Sequence, residues 1–138
     1  MNLNKVHEFE QMIVTLLNMQ GWNLEWCGGG FEHFDCIGTS PKGKEVILEI
    51  KWRKKYYEKK MIEKYKFDKL VQEDAEALYF VADPKGHYIF WLNDLAKQET
   101  VELYCPDTTL WTKKRNNKEC YLLDEKDAHK IHINYATT

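Results

Sequence analysis

The sequence predicts an α/β domain with a mixed central β-sheet and helices on its faces. Two observations carry that reading. An apolar stripe at helical spacing opens the chain, and at least five short apolar or alternating runs follow it, separated by turn residues. A charged stretch with helical character divides those runs into a group of three and a group of two. The order is therefore helix, three strands, helix, two strands and a mixed tail.

The elements follow in chain order. Val6, Phe9, Ile13, Leu16 and Leu17 share one face of a helix over 4–20, with Asn4 available as its cap and Gly21 to end it. WNLEWC (22–27), FEHFDCIG (31–38) and EVILEIKW (45–52) read as strands. Gly28, Gly29 and Gly30 link the first two, and Ser40-Pro41-Lys42-Gly43 turns the second into the third as a hairpin. Residues 53–74 are charged and read as helical in their second half. ALYFVAD (77–83) and HYIFWL (87–92) flank the turn Pro84-Lys85-Gly86 as a second hairpin. Asn93 or Asp94 could cap a short helix over 94–98. The tail holds the strand-like pieces VELYC and ECYLL, a basic loop KKRNNK at 113–118, and a last short helix near 125–130.

Composition narrows the class. With 138 residues, 43% hydrophobic and 14% aromatic, the chain can bury a core as one domain over 1–138. A net charge of −2 neither favours nor excludes a polyanionic partner. No apolar run has the ~18 residues of a membrane span, and no export signal opens the chain, so a cytoplasmic protein with no membrane partner is expected. Cys27, Cys36, Cys105 and Cys120 fit no zinc framework and read as reduced thiols. His129 and His132, three apart, could share a helix face, and alone they read as a surface pair.

The acids and bases inside apolar runs need an explanation. In EVILEIKW, Val46, Leu48, Ile50 and Trp52 line one face, and Glu49 and Lys51 lie side by side on the other. Hairpin pairing brings Asp35 near Glu49. Two such carboxylates repel each other unless a cation lies between them. Carboxylate oxygens are the donors that Mg²⁺ or Mn²⁺ takes, and a neighbouring lysine can hold a water or steady a developing oxyanion. Glu10 sits at the edge of the first helix's apolar stripe and can look toward the sheet, whereas Glu8 faces water.

The pattern Glu10…Asp35…Glu49-Ile50-Lys51 resembles the PD-(D/E)XK nuclease superfamily. Its separations of 25 and 14 residues are similar to those of archaeal-type Holliday junction resolvases and small phage or prophage nucleases. The resemblance covers about residues 4–92, with 93–138 as a C-terminal elaboration. Phe34 stands where the motif usually has proline. The resemblance implies a restriction-endonuclease-like core and a Mg²⁺- or Mn²⁺-dependent endonuclease of a bacterial cell or phage-infected host. Its substrate would be DNA, in branched or junction form. Asp35 and Glu49 would bind the metal, with the Ile50 carbonyl and Glu10 as further ligands, and Lys51 would position the attacking water. Such nucleases often pair to cut two strands, which makes a homodimer an expected form. Superfamily members that keep the sheet and lose the chemistry leave an inactive nucleic-acid-binding or protein-interaction module as the alternative.

The second helix and the basic runs supply candidate substrate contacts. Ile62, Lys66 and Leu70 are spaced to share one helix face, so Lys66 reads either as a phosphate contact in the site or as a lysine whose stem covers apolar surface. Tyr56 and Tyr65 are weaker candidates of the same kind. Residues 51–69 hold nine Lys or Arg against three acids, while 70–112 hold two against eight. The basic run starts where the Glu49-Ile50-Lys51 strand ends. Arg53, Lys54, Lys55 and Tyr56, with Lys113, Lys114 and Arg115, are therefore the expected nucleic-acid contacts. A solvated charged face is the alternative for the same residues.

Overall fold

A computed structural model of the chain describes residues 2–28, 34–95, 100–106 and 115–133, with only the backbone of 104–106 and 115–117. The chain order is α1 (Leu3–Met19), β1 (Asn23–Trp26), β2 (Cys36–Thr39), β3 (Glu45–Trp52), β4 (Lys59–Glu63) and α2 (Lys64–Val71). β5 (Glu76–Asp83), β6 (Gly86–Trp91), β7 (Val101–Pro106), β8 (Arg115–Asp124) and β9 (His129–Ile131) complete it. The main sheet runs β1-β2-β3-β5-β6-β9, and β4-β8-β7 form a smaller antiparallel sheet. β3 and β5 pair in parallel, and the other neighbours of the main sheet are antiparallel.

This layering explains the sequence patterns. The alternate residues Val46, Leu48 and Ile50 of β3, with Leu78 and Phe80 of β5, pack against Ile13 and Leu17 of α1. On the other face, Ile47, Tyr79 and Val81 meet Phe67 and Leu70 of α2 and Ile62, Tyr121 and Leu123 of the small sheet. β5 is covered on both faces, which is why ALYFVA is an unbroken apolar run and not an alternating one. Among the described residues no helix is long and apolar enough to cross a membrane.

The structure departs from the sequence reading at several ends. Asn2, not Asn4, caps α1, because its Oδ1 accepts from the Lys5 N–H at 2.9 Å, three residues into the helix. Gly43 takes φ +83° in the β2–β3 turn, a conformation that costs glycine nothing. The charged stretch 53–74 contains the unpredicted strand β4, in which Lys60 and Ile62 both point inward. α2 therefore begins only at Lys64, and Ile62 does not share its face. Instead of a helix over 94–98 there is a single 3₁₀ turn, Leu92–Asp94, with 96–99 outside the described residues. Asn93 serves the sheet there: its Oδ1 accepts the Ala77 N–H at 2.8 Å. The last helix is reduced to the turn Glu125–Asp127, and His129 lies in β9 with His132 just beyond it, so the two histidines share no helix.

Candidate active site

Asp35 is placed by backbone. Its N–H donates to the Leu48 carbonyl and its own carbonyl accepts from the Cys27 N–H, both at 2.8 Å, so it is clamped between β1 and β3 just before β2 begins. With Cys36 opposite Leu48, the Asp35 side chain lies diagonally across from Glu49. Its Oδ2 accepts the Ile50 N–H at 2.7 Å. Burial pushes its pKa up to about 6; the Ile50 hydrogen bond works against that shift, and the Glu10 charge adds to it.

Glu49 lies in the middle of β3, on the α2 side, and is 7% exposed. Burial first, then repulsion from Asp35, pushes its pKa up to about 7, although Lys66 pulls the other way. Lys66 Nζ is 2.7 Å from Glu49 Oε1. At Lys66 burial lowers the pKa, but the charge of Glu49, its hydrogen bond and Asp35 outweigh that, and the net shift is upward. Lys51, two residues on and half-buried, has a pKa lowered by burial and then by Arg53 and Lys66. Among the described residues no ion pair or side-chain hydrogen bond ties its ammonium down.

Glu10 arrives from α1. It is buried among the apolar positions of that helix, and its Oε1 accepts from Trp26 Nε1 at 3.1 Å. Burial raises its pKa; the Trp26 hydrogen bond and then His7 oppose this, and Glu49 adds to it. His7, one turn earlier, meets the Trp26 ring edge-on at 5.3 Å. Gly28 makes room for that ring: a Cβ there would sit 1.7 Å from Trp26 Cζ2. Neither Trp26 nor His7 is a candidate from the sequence. The available signal was a histidine one helical turn before Glu10 and a tryptophan beside three glycines.

The site thus gathers Glu10, Asp35, Glu49, Lys51 and Lys66 where the two faces of the sheet meet at the end of β2. Asp35 and Glu49 are hard oxygen donors held in burial beside each other, and their raised pKa values register an unmet demand for positive charge. That donor chemistry fits a divalent cation. Among the described residues no three His, Cys, Asp or Glu side chains are gathered as a preformed metal cage. Lys66 and Trp26 hold one oxygen each of Glu49 and Glu10 instead.

The expected nucleic-acid contacts divide. Lys54 and Lys55 are exposed. Arg53 is half-buried and donates to the Met61 carbonyl at 3.3 Å, and the Tyr56 hydroxyl donates to Glu125 Oε2 at 2.7 Å, so both have structural duties. Tyr65 stands 71% exposed beneath the ammonium of Lys69. Lys113 and Lys114 lie outside the described residues, as does the Arg115 side chain.

No family model matches the chain, and no curated protein sequence does. Among solved structures, the chain is similar to Hjc of Archaeoglobus fulgidus, a Holliday junction resolvase from an archaeal hyperthermophile. The TM-score is 0.59 at 17% identity, over 90% of this chain and 89% of that one. The fold is thus the mixed-sheet, restriction-endonuclease-like fold that this resolvase has.

Proposed function

We propose that the chain is a divalent-metal-dependent nuclease that hydrolyses phosphodiester bonds of DNA, with branched or junction forms as preferred substrates. The observation that carries this reading is the Asp35–Glu49 pair. Two buried carboxylates lie beside each other with raised pKa values, next to two lysines, at the end of a strand pair in a resolvase-like fold. Asp35, Glu49, Glu10 and the Ile50 carbonyl would hold Mg²⁺ or Mn²⁺. When bound, such an ion supplies a water of lowered pKa and offsets charge on the scissile phosphate. Lys51 is available to orient the attacking water or to meet the charged phosphate oxygen. Lys66 neutralises Glu49 in the metal-free protein and, being half exposed, can turn to a phosphate when a cation takes its place. Lys54 and Lys55, with the 60% exposed Tyr57, would track the backbone beyond the site.

A second reading is favoured by the Lys66–Glu49 ion pair itself. If that pair is permanent, the chain is a nucleic-acid-binding or interaction module that keeps the fold without the chemistry. The two separate on one experiment: incubation of supercoiled plasmid, linear duplex, single strand and a four-way junction with Mg²⁺ or Mn²⁺, for the wild type and Lys51→Ala. Metal-dependent cleavage that Lys51→Ala abolishes supports the nuclease. Binding with no cleavage of any substrate supports the module.

A further inference from the structure

Outside the catalytic cluster, the C-terminal ends of β3 and β5 open into a cavity of about 700 Å³. Its walls include Trp52, Lys85, His87, Lys130 and His132. Trp52 directly follows Lys51, so strand alternation turns it to the opposite face of the sheet from the site. It is 38% exposed, unusual for a large aromatic residue at the end of a core strand. Lys85, Lys130 and His132 are exposed, and His87 is half-buried. The acid in the wall, Asp83, does not offset this charge. One of its oxygens takes Lys60 at 2.8 Å and the other takes the N–H groups of Lys85 and Gly86.

A cationic rim around one aromatic ring is the chemistry that holds an unstacked base and its phosphate. A duplex cannot use it, because its bases are stacked inward and its convex backbone does not enter a cavity. The volume lies in the range of pockets that enclose a small ligand, which suits a single splayed nucleotide. We propose that this cavity takes an unpaired nucleotide from a single-stranded stretch of DNA, with its base on Trp52 and its phosphate against Lys130 and Lys85. The proposal rests on the nuclease reading for its substrate and deepens it: a strand passing Lys51 continues over the sheet edge, so DNA with an unpaired segment is preferred to continuous duplex.

The test is fluorescence anisotropy of labelled oligothymidylate and of a blunt duplex, with the full chain in EDTA. The variants are Lys85→Glu/Lys130→Glu, Trp52→Ala and Trp52→Phe, each checked for folding by circular dichroism. Loss of the stacking ring in Trp52→Ala should weaken single-strand binding by about tenfold, with most of it kept in Trp52→Phe. The double charge reversal should weaken single-strand binding at least as much and duplex binding by less. Unchanged single-strand affinity in the variants, or an equal loss on duplex, overturns the proposal, as does a wild type that does not bind the single strand. Wild-type cleavage in Mg²⁺ is read separately. Cleavage with variant-insensitive single-strand binding sinks the cavity and leaves the nuclease. Trp52-dependent binding without cleavage does the reverse.

Discussion

Two lysine–carboxylate pairs in this molecule have nearly the same geometry and opposite character. Lys60 lies 2.8 Å from Asp83 and Lys66 lies 2.7 Å from Glu49. The first pair is closed, with side chains 3% and 1% exposed. Lys60 also meets Glu125 at 3.4 Å and the Tyr57 carbonyl, and its ammonium sits 4.3 Å from the Tyr56 ring and 4.2 Å from that of Tyr88. The second pair is open, with the lysine 46% exposed, and its carboxylate has Asp35 as a repelling neighbour. One pair is saturated with partners and locks β4 to the β5–β6 hairpin. The other is short of positive charge and can exchange partners. The difference lies in what surrounds each pair, not in the N–O distance.

The sharpest way to break the comparison is to neutralise each carboxylate's role in turn. Glu49→Gln should lower metal-dependent cleavage by roughly 10³-fold, in line with loss of a group that holds a reacting centre. The same variant should melt at a higher temperature than the metal-free wild type, because it removes a buried repelling charge. A variant that cleaves normally would deny Glu49 its place in the site.

Removing the closed lysine should cost stability instead. Lys60→Met leaves Asp83 buried without its cation and should destabilise the fold by about 3–5 kcal/mol. Lys66→Met, at a half-exposed pair, should cost no more than about 1 kcal/mol. Urea denaturation of both variants checks this; equal losses would erase the distinction between the pairs.

pH sharpens the same contrast. Asp35 and Glu49 titrate near 6 and 7 in the folded chain, above their unfolded values. A raised carboxylate stabilises the fold fully below its unfolded pKa, and that contribution is lost as pH rises through the folded one. The metal-free chain should therefore melt progressively lower between about pH 4 and pH 7. Mg²⁺ or Mn²⁺ at neutral pH should restore the loss, and Glu49→Gln should flatten the profile. Melting curves across that range in EDTA and in Mg²⁺ decide it.

The smallest effect expected is at Trp26. Trp26→Phe keeps the ring and removes one hydrogen bond to Glu10, so stability should fall by about 1 kcal/mol and cleavage by several-fold. Unchanged cleavage would mean that Glu10 needs no orienting partner.

The catalytic cluster was legible because its signal is local. Glu49 and Lys51 share a face by strand alternation, and a four-residue turn fixes the hairpin register that brings Asp35 opposite them. β4 was hidden because KKMIE carries lysine where a strand's inward face should be apolar; Lys60 is buried only because distant Asp83 and Glu125 receive it. The apparent face shared by Ile62, Lys66 and Leu70 crosses a strand–helix boundary, so helical spacing misled there while Lys66 still reached Glu49. Arg53 and Tyr56, read as substrate contacts from their place in a basic run, are held by Met61 and Glu125.

The sequence by itself determined the strand and helix order of the core, the two hairpins and the acid–lysine motif, because periodicity, turn residues and alternation act within a few positions of each other. The tertiary structure alone decided which charges are satisfied. Whether a lysine meets a carboxylate in a sealed cage or at an open edge depends on groups brought from 17 to 65 residues away. That environment, through burial and competing charge, separates a structural ion pair from a reactive one.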